Sequence, residues 1–422
     1  MYVGYFLEYS WARILCGRNL PSCLWSLQAL TNSITKLRLR TLLPYYLTLF
    51  VLTSGLGNVM ALIAEFQNQL GFTSMQIGFI IALGFFGSGF ASIILGPYAD
   101  RGKSPLLLRA GLVMGVISLL ILAVGTELWQ FMVARTIYGL ALGTAAPAVK
   151  RSIILMDPDN FGRNLGRLGA VDVAGFAVGP LVAAICTALG DFQTAFWVTA
   201  IMLLLVIPTV WRAKPDPGRQ DAAGRLSFSL LRSKQLIGAF FFVAGYWIWI
   251  AAFEPVWVME MNVRGASQWQ IGLALSVVVI PIAVLAPFGG SLAQKYGPRL
   301  WSCLCLLSCA AFCILFGVVE GLVALIVVTL ISSCFEGLGF ASTTIFVSES
   351  TPEDRQAAAQ GLATAIQVVA AGLATLGATA IYQITNDTVT WFVVSGTILI
   401  CLATGWLLTR GNLSRRSLSD WE

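Results

Sequence analysis

Gly71-Phe-Thr-Ser-Met-Gln-Ile-Gly78 returns 194 positions later as Gly265-Ala-Ser-Gln-Trp-Gln-Ile-Gly272, and the same offset carries Gly96 onto Gly290, Asp100 onto Gln294 and Arg101 onto Lys295 without a gap. Duplication is the simplest account of such a match. Between the copies lies WRAKPDPGRQDAAGRLSFSLLRSK, residues 211–234, the longest polar stretch between hydrophobic segments. It reads as the linker between two similar halves.

Working outward from the repeat, 57% of the 422 residues are hydrophobic and only 11% are Asp, Glu, Lys or Arg, with a mean hydropathy of +0.81. A soluble globule needs about 25% charged residues to cover its surface, so the missing charge predicts that lipid does the covering. A spanning helix needs roughly 20 mostly apolar residues. Twelve stretches qualify: 41–65, 76–98, 105–125, 128–150, 165–187, 192–211, 236–258, 270–292, 300–319, 322–346, 360–383 and 389–409. The 41 glycines suit close helix contacts, where small residues let backbones approach in lipid. The expected fold class is therefore an all-α membrane protein, with twelve transmembrane helices in two pseudo-symmetric six-helix bundles.

Short loops that retain positive charge stay in the cytoplasm. With the N-terminus inside, only Arg264 falls in an outer loop and only Arg135 lies deep within a span; with Arg109, Lys150 and Arg167, at the cytoplasmic ends of their spans, counted with the inner loops, 24 of the 26 Lys and Arg residues lie inside. Both termini are expected to be cytoplasmic. The net charge of +6 then reflects topology, and no nucleic-acid partner is expected. The domain plan reads 1–40 as an N-terminal cytoplasmic or surface-lying segment, 41–211 as the first bundle and 212–235 as the linker. Residues 236–410 form the second bundle and 411–422 a cytoplasmic tail. The apolar runs of residues 1–40 are too broken to span; a misassigned start codon is the other reading of them. A cleaved signal peptide is disfavoured, since no clear apolar core and cleavage site appear.

The loop after the second span reads Gly96-Pro-Tyr-Ala-Asp100-Arg101-Gly102-Lys103-Ser-Pro. It resembles the loop motif of the major facilitator superfamily, Gly-x-Leu-Ala-Asp-Arg-x-Gly-Arg-Arg, with Gly102 one position early and Lys103 where the second glycine belongs. The second copy, Gly290-Ser-Leu-Ala-Gln294-Lys295-Tyr-Gly297-Pro-Arg299, keeps that glycine and has lost the acid. The resemblance implies a gating role for Gly96, Asp100, Arg101, Lys103, Gly290, Lys295 and Arg299, with the gating charge mainly in the first half. The superfamily's two parallel six-helix repeats agree with the duplication.

Two further stretches carry the resemblance. Arg135-Thr-Ile-Tyr-Gly139-Leu-Ala-Leu-Gly143 is similar to the family's fourth-helix pattern, and an intramembrane Arg normally faces a cavity and a partner. Asp172-Val-Ala-Gly175-Phe-Ala-Val-Gly179-Pro180 resembles the fifth-helix signature of its antiporters, with alanines in place of the final glycines. Gly175 and Gly179 make a smooth face, and Pro180 permits a bend. The signature implies export.

Glu336, Asp172 and Glu254, in that order, are the candidate proton-coupling acids, with Arg135 as the cationic partner. Hydrocarbon disfavours a charged carboxylate, so an alternately exposed acid can load a proton on one side and release it on the other. One proton moving down ~100 mV contributes roughly 2.3 kcal/mol and one pH unit about 1.4 kcal/mol. Together they sustain a solute gradient of about 500-fold at tenfold per 1.4 kcal/mol. Asn58, Tyr246, Trp247, Trp249 and Gln367 are candidate cavity residues, and an aromatic, weakly polar pocket suits amphipathic or lipophilic molecules better than sugars.

Other chemistry fails on spacing. Five residues separate Gly96 from Gly102, whereas a phosphate-binding loop requires four before its Gly-Lys-Ser. Cys305, Cys309 and Cys313 share a helical face, yet with no His in the chain they read as small hydrophobes, and no metal is expected. No nucleophile, base and metal constellation marks an enzyme. The sequence predicts a monomeric secondary transporter in the bacterial inner membrane. The resemblance implies that it exports small lipophilic or amphipathic compounds by alternating access, with the proton gradient expected in place of a cofactor. The alternatives are an uptake symporter for a small polar metabolite and a transport-inactive receptor or scaffold.

Overall fold

A computed structural model describes residues 20–211, 228–351 and 355–410. The proposed tail at 411–422, most of the linker and residues 1–19 lie outside the described residues. Every regular element among the described residues is helical, and twelve helices are long and apolar enough to cross a membrane. We label them α1 (Leu20–Ala61), α2 (Ser74–Tyr98), α3 (Ser104–Val124), α4 (Leu128–Met156), α5 (Phe161–Leu189) and α6 (Gln193–Trp211) in the first half. The second half holds α7 (Lys234–Val263), α8 (Gln268–Tyr296), α9 (Pro298–Val318), α10 (Leu322–Gly339), α11 (Gln356–Ile384) and α12 (Asp387–Leu408). Each expected span coincides with one helix. The differences are a first span that stops at Ala61, a tenth interrupted before the short helix Ser342–Glu349, and an α1 that continues back to Leu20 through part of the expected surface segment.

The repeated motif is a helix start. Gly71 and Gly265 take φ of +69° and +81°, the left-handed region that glycine enters without strain. Two residues on, Thr73 and Ser267 cap α2 and α8. In each copy the Gln three positions later returns its side-chain oxygen to the cap's backbone N–H at 2.8 Å. The motif thus turns the chain and relaunches it into the bilayer twice, in the same way.

Packing repeats as well. In the first half α1 lies on α5, α2 on α4 and α3 on α6; in the second, α7 lies on α11, α8 on α10 and α9 on α12. The halves meet where α2 packs on α11 and α5 on α8. Lipid-facing positions carry exposed apolar side chains, such as Leu205 at 71% and Val323 at 75%, the inverse of a soluble fold.

Glycines set the closest approaches. A Cβ at Gly139 would lie 2.9 Å from the Ser88 nitrogen and closer still to the Gly84 carbonyl, so α4 rests directly on the backbone of α2. Gly139→Leu is expected to cost at least about 1–3 kcal/mol through overpacking, seen as a lowered Tm of the detergent-purified protein. Gly377→Ala, where nothing lies within 4 Å, is the control expected to keep its Tm.

Candidate functional site

Between the halves, α1, α5, α7, α8 and α10 enclose a cavity of about 90 Å³. Its wall is apolar, from Met60, Phe176, Phe253, Leu275 and neighbouring aliphatic residues of α8, except for the carboxylates of Glu254 and Glu336. Acids in such a wall are costly in hydrocarbon, and their default reading is functional.

The sequence around each acid explains its position. Glu336 is followed by Gly337 and Gly339. A Cβ at Gly337 would meet the Ile282 backbone of α8 at 2.9 Å, and one at Gly339 would collide with the Cys305 side chain of α9. The bare positions let α10 sink between those helices, and Glu336 is left facing α7. There the Trp249 indole N–H donates to Glu336 Oε2 at 3.3 Å. Glu254 precedes Pro255 inside α7. Proline cannot donate to the Ala251 carbonyl one turn back, and the Thr375 hydroxyl of α11 does so instead at 2.9 Å. The carbonyl that Pro255 leaves free one turn before it is therefore satisfied by a neighbouring helix.

Arg135 is buried on α4, its stem laid over Gly84 of α2. Arg135 Nε in one half and Glu254 Oε2 in the other are both buried without hydrogen-bond partners. Arg135 thus sits in the interior and does not reach for the membrane surface.

The other expected site residues fall elsewhere. Asp172 is half-buried on α5 with Lys150 of α4 as its charge neighbour, and it does not line the cavity. Gly175 and Gly179 pack on α1, against Phe50, Thr53, Ser54 and Gly57, so their smooth face joins helices within one half; the Pro180 carbonyl instead abuts Gly272 of α8 in the other. Of the guessed cavity residues only Trp249 lines it. Asn58 points into the first bundle, where its amide donates to Thr199 Oγ1 at 2.6 Å, and Tyr246 is buried behind Glu336 among Cys305 and Cys309. Trp247 and Gln367 are half-buried outside the lining.

The gating motif closes α2 with a wide turn in which Gly102 takes φ +85°, which accounts for the glycine's early position; its counterpart Gly297 takes +91°. Gly96 is buried, and Gly290 approaches Ala341. Arg101 and Lys103 lie by the Tyr98 ring, and Lys295 by Tyr296. Arg299 donates to the Trp406 carbonyl at 3.1 Å. The side chain of Asp100 lies outside the described residues.

A roof covers the cavity on the side away from the linker. Asn68 and Asn262 exchange two amide hydrogen bonds, at 3.0 and 3.1 Å, and are themselves separated by 194 positions. Beside them Gln268 donates to the Ala61 carbonyl at 2.8 Å, and the Met75 N–H donates to Gln383 at 2.9 Å. One acid escaped the sequence reading altogether. Glu260, on α7, is fully buried, paired with Arg264, and accepts the Trp391 N–H at 2.8 Å.

A family model described as Major Facilitator Superfamily matches residues 45–267 and 236–421. The chain belongs to the major facilitator superfamily. Within it, the chain is 27% identical over 278 residues to the multidrug resistance protein MdtG of Yersinia enterocolitica, an alignment covering 62% of this chain and 66% of that protein. It is 28% identical to MdtG of Serratia proteamaculans, over 62% and 67% of the two chains. Among solved structures of the superfamily fold, a point mutant of the nucleoside transporter NupG superposes with a TM-score of 0.76 at 14% identity, covering 87% of this chain and 99% of that one. An inward-facing, unoccupied bacterial homologue of the lysosomal transporter Spinster does so with 0.74 at 13%, covering 88% and 97%. This superfamily member is a multi-pass membrane protein with the transporter fold.

Proposed function

We infer that this chain is a proton-coupled exporter of small lipophilic or amphipathic compounds, working by alternating access in a bacterial inner membrane with both termini in the cytoplasm. The observation that carries the reading is the pair Glu254 and Glu336 facing one apolar cavity between the halves, and the resemblance to multidrug resistance proteins supports its direction. In this scheme the roofed side is external and the linker side cytoplasmic, and the energy source is the proton gradient.

The steps follow from the wall. At about 90 Å³ the cavity is well below the ~300 Å³ at which drug-sized ligands begin to fit, so the halves part at the linker side to admit a substrate. A lipophilic cation then lies on Trp249, Phe253 and Phe176 with its charge toward the carboxylates. Once the halves rock, the carboxyls meet external protons, and a protonated carboxyl no longer attracts the cation. Cargo leaves as a proton enters, and return to the cytoplasmic side releases the proton. The apolar wall offers few partners for a sugar or a small polar acid, which disfavours uptake of a polar metabolite.

Expression in a pump-deficient bacterial host is expected to lower accumulation of a lipophilic cation dye, and a protonophore to abolish the difference. Accumulation that stays at the empty-vector level across a broad dye panel, with the protein inserted in the membrane, would overturn the reading.

A further inference from the structure

Glu260 has no part in the scheme above, yet a buried acid needs a reason. Its two oxygens are both engaged: Arg264, one turn on, holds Oε1, and Trp391 of α12 donates to Oε2 at 2.8 Å. Arg264 also donates to the Gly321 carbonyl at 3.1 Å and lies 3.5 Å from Asp387 at the start of α12. Tyr382 of α11 faces the same charges. The cluster therefore fixes the Trp391 indole from one end.

What Trp391 touches next leads back to the cavity. Its ring packs on Phe316 of α9 with centroids 5.1 Å apart at 46°, and Phe316 stacks on Trp249 at 5.8 Å and 9°. Trp249 is the donor to Glu336. All three rings are fully buried; Trp249 borders the cavity on one side, and on the other it packs on Phe316, so that a shift of Trp391 or Phe316 changes the surface against which the Trp249 ring rests. The 3.3 Å bond from Trp249 to Glu336 lies at the long edge of N–H···O geometry, where a small tilt makes or breaks it.

We propose that Glu260 is a positioning residue for Glu336: by gripping Trp391 it holds the Trp391–Phe316–Trp249 stack in the orientation that aims the Trp249 N–H at the cavity carboxylate. The inference rests on the reading of Glu336 as the proton carrier and adds a part of the site some turns away from the cavity.

The test is a double-mutant cycle on full-length protein in proteoliposomes. It reads the rate at which a hydrophobic carbodiimide modifies Glu336, by mass spectrometry of the peptide, beside proton-driven efflux of tetraphenylphosphonium. Trp249→Phe, Trp391→Phe and the double variant are expected to change the modification rate by one common factor, about two- to tenfold for the loss of one hydrogen bond. Distant, independent sites would instead multiply their effects. Glu260→Leu should reproduce the change, and Glu260→Gln, which keeps an acceptor for Trp391, should recover most of the wild-type rate. A fold defect alone lowers the yield of each variant but does not make the two tryptophans non-additive. A Trp391→Phe protein that reacts at the wild-type rate, or a double variant whose effect is the product of the singles, overturns the positioning role. Wild-type efflux in Glu336→Gln overturns the proton-carrying role separately.

Discussion

Glu336→Gln is expected to abolish uphill export while leaving downhill exchange of the same substrate measurable. Glutamine keeps the length of the side chain and an oxygen that can accept the Trp249 N–H, so the cavity keeps its shape; only the exchangeable proton is lost. In a one-for-one exchange of a proton for a monovalent cation the membrane potential cancels, so each pH unit, about 1.4 kcal/mol, sustains a gradient of about tenfold, and without a carrier for the proton the protein can only equilibrate its substrate. In proteoliposomes with an imposed pH gradient, accumulation of a lipophilic cation should fall at least about tenfold, while counterflow persists. Asp172→Asn, outside the cavity beside Lys150, should retain more than half of the gradient-driven rate. Full accumulation by Glu336→Gln would end the case for this carboxylate.

The unequal behaviour expected of Asp172 and Glu336 marks where the sequence stops being informative. Twelve apolar runs and a 194-residue repeat specify the helices and their pseudo-symmetry, because span length and turn chemistry are local properties. An intramembrane acid is legible for the same reason: hydrocarbon makes it conspicuous. Which way a side chain points around its helix is a tertiary property. Asn58 looks like a cavity amide until Thr199 is found bonded to it, and Asp172 and Glu254 look alike until packing places only one of them in the wall. Leu275, Val278 and Val279 line the cavity but have the same chemistry as residues that face lipid, so no pattern marks them. Arg264 reads as an outer-loop charge and Glu260 has no reading at all, because what engages that acid besides Arg264 is Trp391, more than a hundred residues on. The Asn68–Asn262 pair, by contrast, was within reach of the repeat offset, three positions before the glycines that announce it.

That pair supplies the second large effect. Because the two asparagines are equivalent in the duplicated halves, their reciprocal bonds lie on the pseudo-twofold axis, where one substitution type on both partners produces a like pair. Asn68→Asp with Asn262→Asp sets two carboxylates about as far apart as the amides they replace. At an effective dielectric between that of water and ~20 the repulsion is of order 1–5 kcal/mol, added to the loss of two hydrogen bonds at about 0.5–1.5 kcal/mol each. The roof should open, and the population facing the Asn68 side should rise at least about tenfold. Val279→Cys, in the cavity wall, reports this through a membrane-impermeant maleimide added from that side. Asn68→Asp with Asn262→Lys replaces repulsion by attraction and should return labelling to the level of Val279→Cys alone. Should the double aspartate leave labelling unchanged, the roof would have to be held by α2 on α11 and α5 on α8, where Gly78 lies against Thr379 and Gly272 against Pro180. Both glycines occupy the same place in the repeat, so the next variants to label would be Gly78→Val and Gly272→Val.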